Sequence, residues 1–182
     1  DSFLIQQSGF KIGAKKEKNY IIQNGVDRNM FNSRVEKGFI RKKYNLHKND
    51  KILLSTRLII KNSNILNIVK SFNELYKKDN KIYLFLIYSY KDEKYYKMIK
   101  DYILKNSLQN NIFDIGRADY KEIPNYIVDS NVYISIPTSD SSPKSVYEAM
   151  SVGVPCVVSD IEWTKNFIEH NKHAFLVKLD NV

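Results

Sequence analysis

The sequence predicts a doubly wound α/β domain built on a parallel sheet of about six strands. From Lys51 onward, short apolar runs alternate with amphipathic stretches of helical period. Several runs, Ile82 to Ile87 above all, carry no polar face, which a strand covered by helices on both sides requires. No internal repeat or low-complexity segment competes with this alternation. A sheet of this kind receives ligands beyond the carboxyl ends of its strands.

Asp1 to Gly13 is moderately apolar and reads as the end of a helix, with Lys15 to Lys18 as an exposed turn. Tyr20-Ile21-Ile22 reads as a short strand stopped by the turn signal Asn24-Gly25. Asn29 to Leu46 is charged and reads as a linker with a short helix from Val35 to Tyr44, so the domain boundary falls between Gly25 and Phe31. Ile52 to Leu54 is the first strand of the regular pattern. Asn62 to Lys78 follows as a helix with Ile65, Val69, Phe72 and Tyr76 on one face. Ile82 to Ile87, Ile112 to Ile115, Val132 to Ile136, Cys156 to Ser159 and Ala174 to Val177 are the remaining strands. Between them the pattern predicts helices over Lys91 to Leu104, Tyr120 to Val128, Ser142 to Val152 and Glu162 to Glu169, with Trp163 and Phe167 as core anchors.

At 182 residues and 43% apolar content the chain suffices for one full domain with a proper core. No apolar run approaches the roughly 20 residues that span a bilayer. The 29 Lys and Arg exceed the 20 Asp and Glu, giving a formal charge of +9. The lysines are scattered, which reads as a solvated surface and not as a nucleic-acid interface. The one cysteine, Cys156, falls in a predicted buried strand, so it reads as an inert thiol in a reducing, cytoplasmic setting. His47, His170 and His173 share no metal-ligand spacing with each other, with acidic residues or with Cys156. No phosphate-binding glycine motif is present.

The richest stretch is Ser139 to Asp160. It runs from an acidic loop through Ser-Ser-Pro into a helix, and leaves by Gly153-Val154-Pro155 into a strand. Pro143 is expected at the first helical position. The free amides after Ser142 then make an anion site, strengthened by the helix dipole and Lys144. Glu148 lies roughly 7–9 Å further along the helix axis, so Asp140 and Glu148 bracket an extended ligand such as a diphosphate between two hydroxyl-rich groups. The same two acids fit equally well as a helix cap and a solvated side chain. Arg57, at the end of the first strand, offers a guanidinium that pairs with phosphate at two points, with Lys61 as an added charge and Arg117 as a weaker candidate.

In this order the motifs resemble the C-terminal half of retaining glycosyltransferases of the GT-B fold, glycosyltransferase family 4. Ile22 to Asp27 with Phe31 resembles the crossover "NGVD…F". Ser55-Thr56-Arg57-Leu58 with Lys61-Asn62 resembles "GRL…KG", and Ile112 to Gly116 resembles the "F-x-G" strand end. Asp140 to Pro155 resembles the E-x7-E motif with "EAMA-x-G-x-P". The resemblance implies residues 1–27 as a remnant of an acceptor domain and its crossover. It implies residues 28–182 as a Rossmann-like nucleotide-sugar-binding domain whose last helix is truncated. Arg57, Lys61, Asp140 and Glu148 are the implied catalytic set. Arg57 and Lys61 hold the diphosphate, Asp140 the donor sugar and Glu148 the ribose. Arg117, Ser141, Ser142, Lys144, Ser145 and Val146 are implied to complete the donor site.

The resemblance further implies a UDP-, GDP- or ADP-sugar donor and no metal or other cofactor. It implies a glycan or lipid-linked acceptor and a cytoplasmic location that allows peripheral contact with a membrane. Asp140 stands where that family carries Glu, Tyr88-Ser89-Tyr90 stands where it carries glycines, and Lys61 follows Arg57 one residue early. These departures keep two alternatives open, a non-catalytic nucleotide-sugar-binding module of the same fold and a phosphate- or nucleotide-binding regulatory domain. The fragment alone is expected to transfer sugar poorly or not at all.

Overall fold

The computed structural model describes residues 3–22, 24–165 and 167–179; the expected crossover position Gln23 and the chain's first two and last three residues lie outside the described residues. Six strands form one sheet: β1 (Lys51–Ser55), β2 (Ile82–Ile87), β3 (Ile112–Gly116), β4 (Val132–Ser135), β5 (Cys156–Ser159) and β6 (Phe175–Val177). Their order is β3-β2-β1-β4-β5-β6 and every pairing is parallel. The helices are α1 (Phe3–Lys11), α2 (Phe39–Lys43), α3 (Ile65–Tyr76), α4 (Glu93–Lys105), α5 (Ile123–Asp129) and α6 (Lys144–Val152). The predicted fold class is therefore the observed one, a doubly wound Rossmann-like domain.

Each strand feeds two cores because alternate side chains point to opposite faces. Ile52, Leu54, Phe85, Tyr133 and Val158 pack with α2, α5 and α6, whereas Leu84, Leu86 and Ile112 pack with α3 and α4. α3 buries Ile65, Val69 and Phe72 of the expected stripe and Ile68 besides, with Tyr76 half-buried at its end. α4 buries Ile99 and Ile103 and is capped by Asp92, whose side chain accepts the Tyr95 amide. The strand order reverses between β1 and β4. That switch point leaves a crevice at the carboxyl edge, since the connections from the two strands depart to opposite sides.

Four expectations are corrected. Tyr20 to Ile22 is exposed and without a strand partner among the described residues, because an apolar triplet alone provides no neighbour to pair with. The helix expected from Val35 begins only at Phe39, because Gly38 adopts φ 111°. Its opening amides are held from another helix: Asp129 accepts the Gly38 and Ile40 N–H groups at 2.5 and 2.6 Å. The helix expected over Glu162 to Glu169 is a run of turns among its described residues. There the Thr164 hydroxyl binds the Ile161 carbonyl at 2.7 Å and competes with the backbone ladder. Trp163 is a core anchor as expected, but Phe167 is exposed.

No described helix is long and apolar enough to cross a membrane.

Candidate donor site at the switch point

Arg57 lies two residues past β1 and Asp140 five residues past β4, the two adjacent strands flanking the switch point. Their charges meet there, with Arg57 Nη2 2.7 Å from Asp140 Oδ2 and the side chains only 19% and 13% exposed. The contact is close but not aligned as a hydrogen bond, so Oδ2 is buried without a hydrogen-bond partner among the described residues. Asp140 Oδ1 accepts the Ser141 amide at 2.7 Å. Lys61 is exposed and opens the 3-10 turn Lys61–Ser63. Its neighbour Asn62 ties that turn to the loop after β4. Asn62 Nδ2 donates to the Ser139 carbonyl at 2.9 Å and Oδ1 accepts from the Thr138 hydroxyl at 2.7 Å.

The entry to α6 is held from a distance of 118 residues, where Asn24 Nδ2 donates to the Ser142 carbonyl at 3.1 Å. Pro143 is the N-cap (φ −71°, ψ 96°) and not the first helical residue, so the helix starts one position later than expected. The Val146 and Tyr147 amides bond the Pro143 carbonyl at 3.0 and 3.4 Å. The Lys144 and Ser145 amides are unpaired among the described residues and open at the positive end of the helix dipole. The Ser142 hydroxyl beside them is buried without a hydrogen-bond partner among the described residues. Such a group needs an acceptor or donor to offset its desolvation, and an arriving anion supplies one. Val146 is not brought to the site, because its N–H is taken and its side chain is fully buried in the core.

Next to this entry lies an open cleft of about 840 Å³. It is lined by Thr56, Ile87, Tyr88 and Ser89 from the ends of β1 and β2, by Arg117 to Tyr120 with Ile123, and by Lys144, Ser145 and Glu148 of α6. Of the expected site residues it thus gathers Arg117, Lys144, Ser145 and Glu148, while Thr56 links it to the Arg57–Asp140 pair. Glu148 is 5% exposed and not a solvated acid. Tyr120 donates its hydroxyl to Glu148 Oε1 at 2.8 Å, and Lys144 Nζ stands 3.9 Å from the same oxygen and 5.3 Å above the Tyr120 ring. Burial and the Glu148 carboxylate push the Tyr120 phenol up, so it remains a donor at neutral pH. Contact with Tyr120 raises Lys144, which remains a cation.

Sequence reasoning missed Tyr120. The available signal was an aromatic residue in the polar stretch Arg117-Ala118-Asp119-Tyr120, directly after a strand end. Tyr88, the first of the three residues that stand in place of glycines, lines the cleft without closing it, and its hydroxyl donates to Asp114 Oδ1 at 2.7 Å. The three histidines do not line the cleft; His170 and His173 accept the Leu176 and Glu169 amides. Cys156 is buried, and burial pushes its thiol up to about 12.

Fold and site together define an α/β domain with a polar, cation-bearing cleft at the carboxyl edge of a parallel sheet. Residues 36–182 match the family Glycosyl transferases group 1, and the chain belongs to that family. It is 30% identical over 61 residues to the Escherichia coli UDP-Gal:alpha-D-GlcNAc-diphosphoundecaprenol alpha-1,3-galactosyltransferase, a stretch covering 34% of this chain and 16% of that enzyme. Among solved structures it is similar to HepE of Anabaena in complex with UDP and glucose, with a TM-score of 0.85 at 18% identity. That likeness covers 97% of this chain and 48% of HepE, so the chain spans about half of that protein's length. It also resembles the C-terminal domain of the Francisella tularensis group 1 family protein LpcC, with a TM-score of 0.74 and 16% identity over 85% of this chain and 80% of that one.

Proposed function

We propose that residues 28–182 are the donor-binding half of a retaining, metal-independent glycosyltransferase of family 4, and that residues 1–27 belong to its acceptor side and crossover. The enzyme moves a sugar from a nucleotide-sugar to a glycan or lipid-linked acceptor in surface polysaccharide or glycolipid synthesis. It works in the cytoplasm, with peripheral contact to the membrane. The observation that carries this reading is the shared sheet edge. The start of α6 with its unpaired amides and the buried Glu148 line one open cleft, and Arg57 follows the cleft residue Thr56 in the chain at the same sheet edge.

In this reading the Lys144 and Ser145 amides, Arg57 and Lys61 hold the diphosphate and stabilise the charge that develops on it as the glycosidic bond breaks. Glu148 accepts from the ribose hydroxyls and Asp140 from the donor sugar. Arg117, Ser141 and Ser142 complete the wall. HepE is known in complex with UDP and with UDP-glucose, which makes UDP the first nucleotide to test. Calorimetric titration with UDP-, GDP- and ADP-glucose is the experiment. Binding of one of them, tighter than its free nucleotide, supports the reading; binding of none by a folded sample overturns it.

A second reading, a binding module without transfer activity, is favoured by the Arg57–Asp140 contact, which occupies two groups that transfer needs free. Nucleotide-sugar binding without any detectable sugar transfer supports that alternative.

A further inference from the structure

We infer that Tyr120 is a positioning residue of the donor site, holding the Glu148 carboxylate in the orientation that reads the ribose hydroxyls. The inference rests on the donor-binding reading above. Glu148 sits on the inner side of α6 with its side chain 6% exposed, where a polar group requires hydrogen-bond partners. Among the described residues its one hydrogen bond comes from the Tyr120 hydroxyl. Lys144 adds charge at 3.9 Å on the same oxygen, so Oε2 remains without a hydrogen-bond partner among the described residues. A carboxylate has about four lone-pair positions. With Oε1 anchored, Oε2 and the spare lone pair of Oε1 form an oriented acceptor for two neighbouring hydroxyls.

Tyr120 is itself fixed. It ends the loop Arg117–Tyr120 that lines the cleft, its ring packs against Phe31 with centroids 5.6 Å apart, and Asp119 caps the 3-10 turn that follows by accepting the Lys121 amide at 2.9 Å. Phe31 is fully buried and its carbonyl accepts the Ser151 hydroxyl of α6 at 2.7 Å. The loop after β3 and helix α6 are thereby locked to the same anchor. Tyr120 nonetheless remains 45% exposed and packs on Phe31 through its ring, so Tyr120→Phe keeps that packing and removes only the hydroxyl.

The test is titration of the parent chain and of Tyr120→Phe with the tightest-binding of UDP, GDP and ADP, and with the 2′,3′-dideoxy form of the same nucleotide. Removing a hydrogen bond to a charged group is expected to weaken the parent nucleotide about tenfold. Binding of the dideoxy form, which offers Glu148 nothing, should be unchanged, and a cooperative thermal transition shows that the variant is folded. Equal weakening of both ligands, or of neither, overturns the inference. Glu148→Gln separates the two levels. If Glu148→Gln reduces the preference for ribose hydroxyls and Tyr120→Phe does not, the positioning role falls alone. If the parent chain binds no nucleotide, the donor reading falls with it.

Discussion

Replacing Asp140 by Ala is predicted to tighten the binding of free UDP while weakening the extra affinity contributed by the sugar. The Arg57 guanidinium is 2.7 Å from the Asp140 carboxylate, and a diphosphate must draw the guanidinium away or share it. At that separation the gross attraction is about 6 kcal/mol with an effective dielectric constant of about 20. Both side chains retain partial solvent contact, so competing hydration reduces the net value to about 1 kcal/mol. Asp140→Ala removes this competition and one negative charge near the phosphates, so UDP should bind about fivefold tighter. The donor sugar loses an acceptor for its hydroxyls, so the advantage of UDP-glucose over UDP should shrink by about tenfold. Calorimetry at fixed ionic strength with both ligands on both proteins reads the two effects separately. Weaker or equal UDP binding by Asp140→Ala would refute the assignment of Arg57 to the diphosphate.

Other outcomes follow from the scaffold. Asp129→Ala strands the buried Ile40 amide and releases Gly38, so urea unfolding should register a loss of about 3 kcal/mol; an unchanged midpoint contradicts the role of Asp129 as the clamp on α2. Gly153→Ala forces a side chain into φ 85° at the end of α6, where open space leaves only the backbone conformation as a cost, and thermal melting should show a loss of about 1 kcal/mol. Cys156 should resist thiol reagents until the chain unfolds. Its folded thiol is raised to about 12, so the unfolded chain loses this proton first as pH rises. The stability associated with Cys156 is full below about pH 9 and is lost towards pH 12, at about 1.4 kcal/mol per pH unit. Cys156→Ala should flatten the alkaline stability curve by that slope, and an unaltered curve contradicts the buried thiol.

The sheet was legible because burial on both faces leaves an unambiguous mark: Ile82 to Ile87 allows no reading but a covered strand, and all six strands fall where the apolar runs lie. What depended on distant partners was not legible. The α2 boundary is set by Asp129, 91 residues away from Gly38, and no local pattern announces such a cap. The turns at 162–165 follow from a threonine hydroxyl outcompeting the helix ladder, although the apolar spacing of Trp163 and Phe167 is helical. At the site, the spacing of Asp140 and Glu148 indicated an α6 entry but left cap and solvated acid open. Parallel pairing of β1 with β4 brought Arg57 to Asp140, and the loop after β3 brought Tyr120 to Glu148. Val146 shows the converse. A motif position suggested a ligand contact, but the helical period turned it into the core.

The most direct test of the central claim is backbone amide NMR of the chain during titration with UDP-glucose. The donor-site account predicts saturable shifts concentrated at Thr56 to Leu58, Tyr88 to Ser89, Arg117 to Tyr120 and Ser141 to Glu148, with the largest at the unpaired Lys144 and Ser145 amides. Shifts centred elsewhere, such as on the groove lined by Pro155 and His173 at the opposite edge of the sheet, or no saturable shift at all, would contradict it.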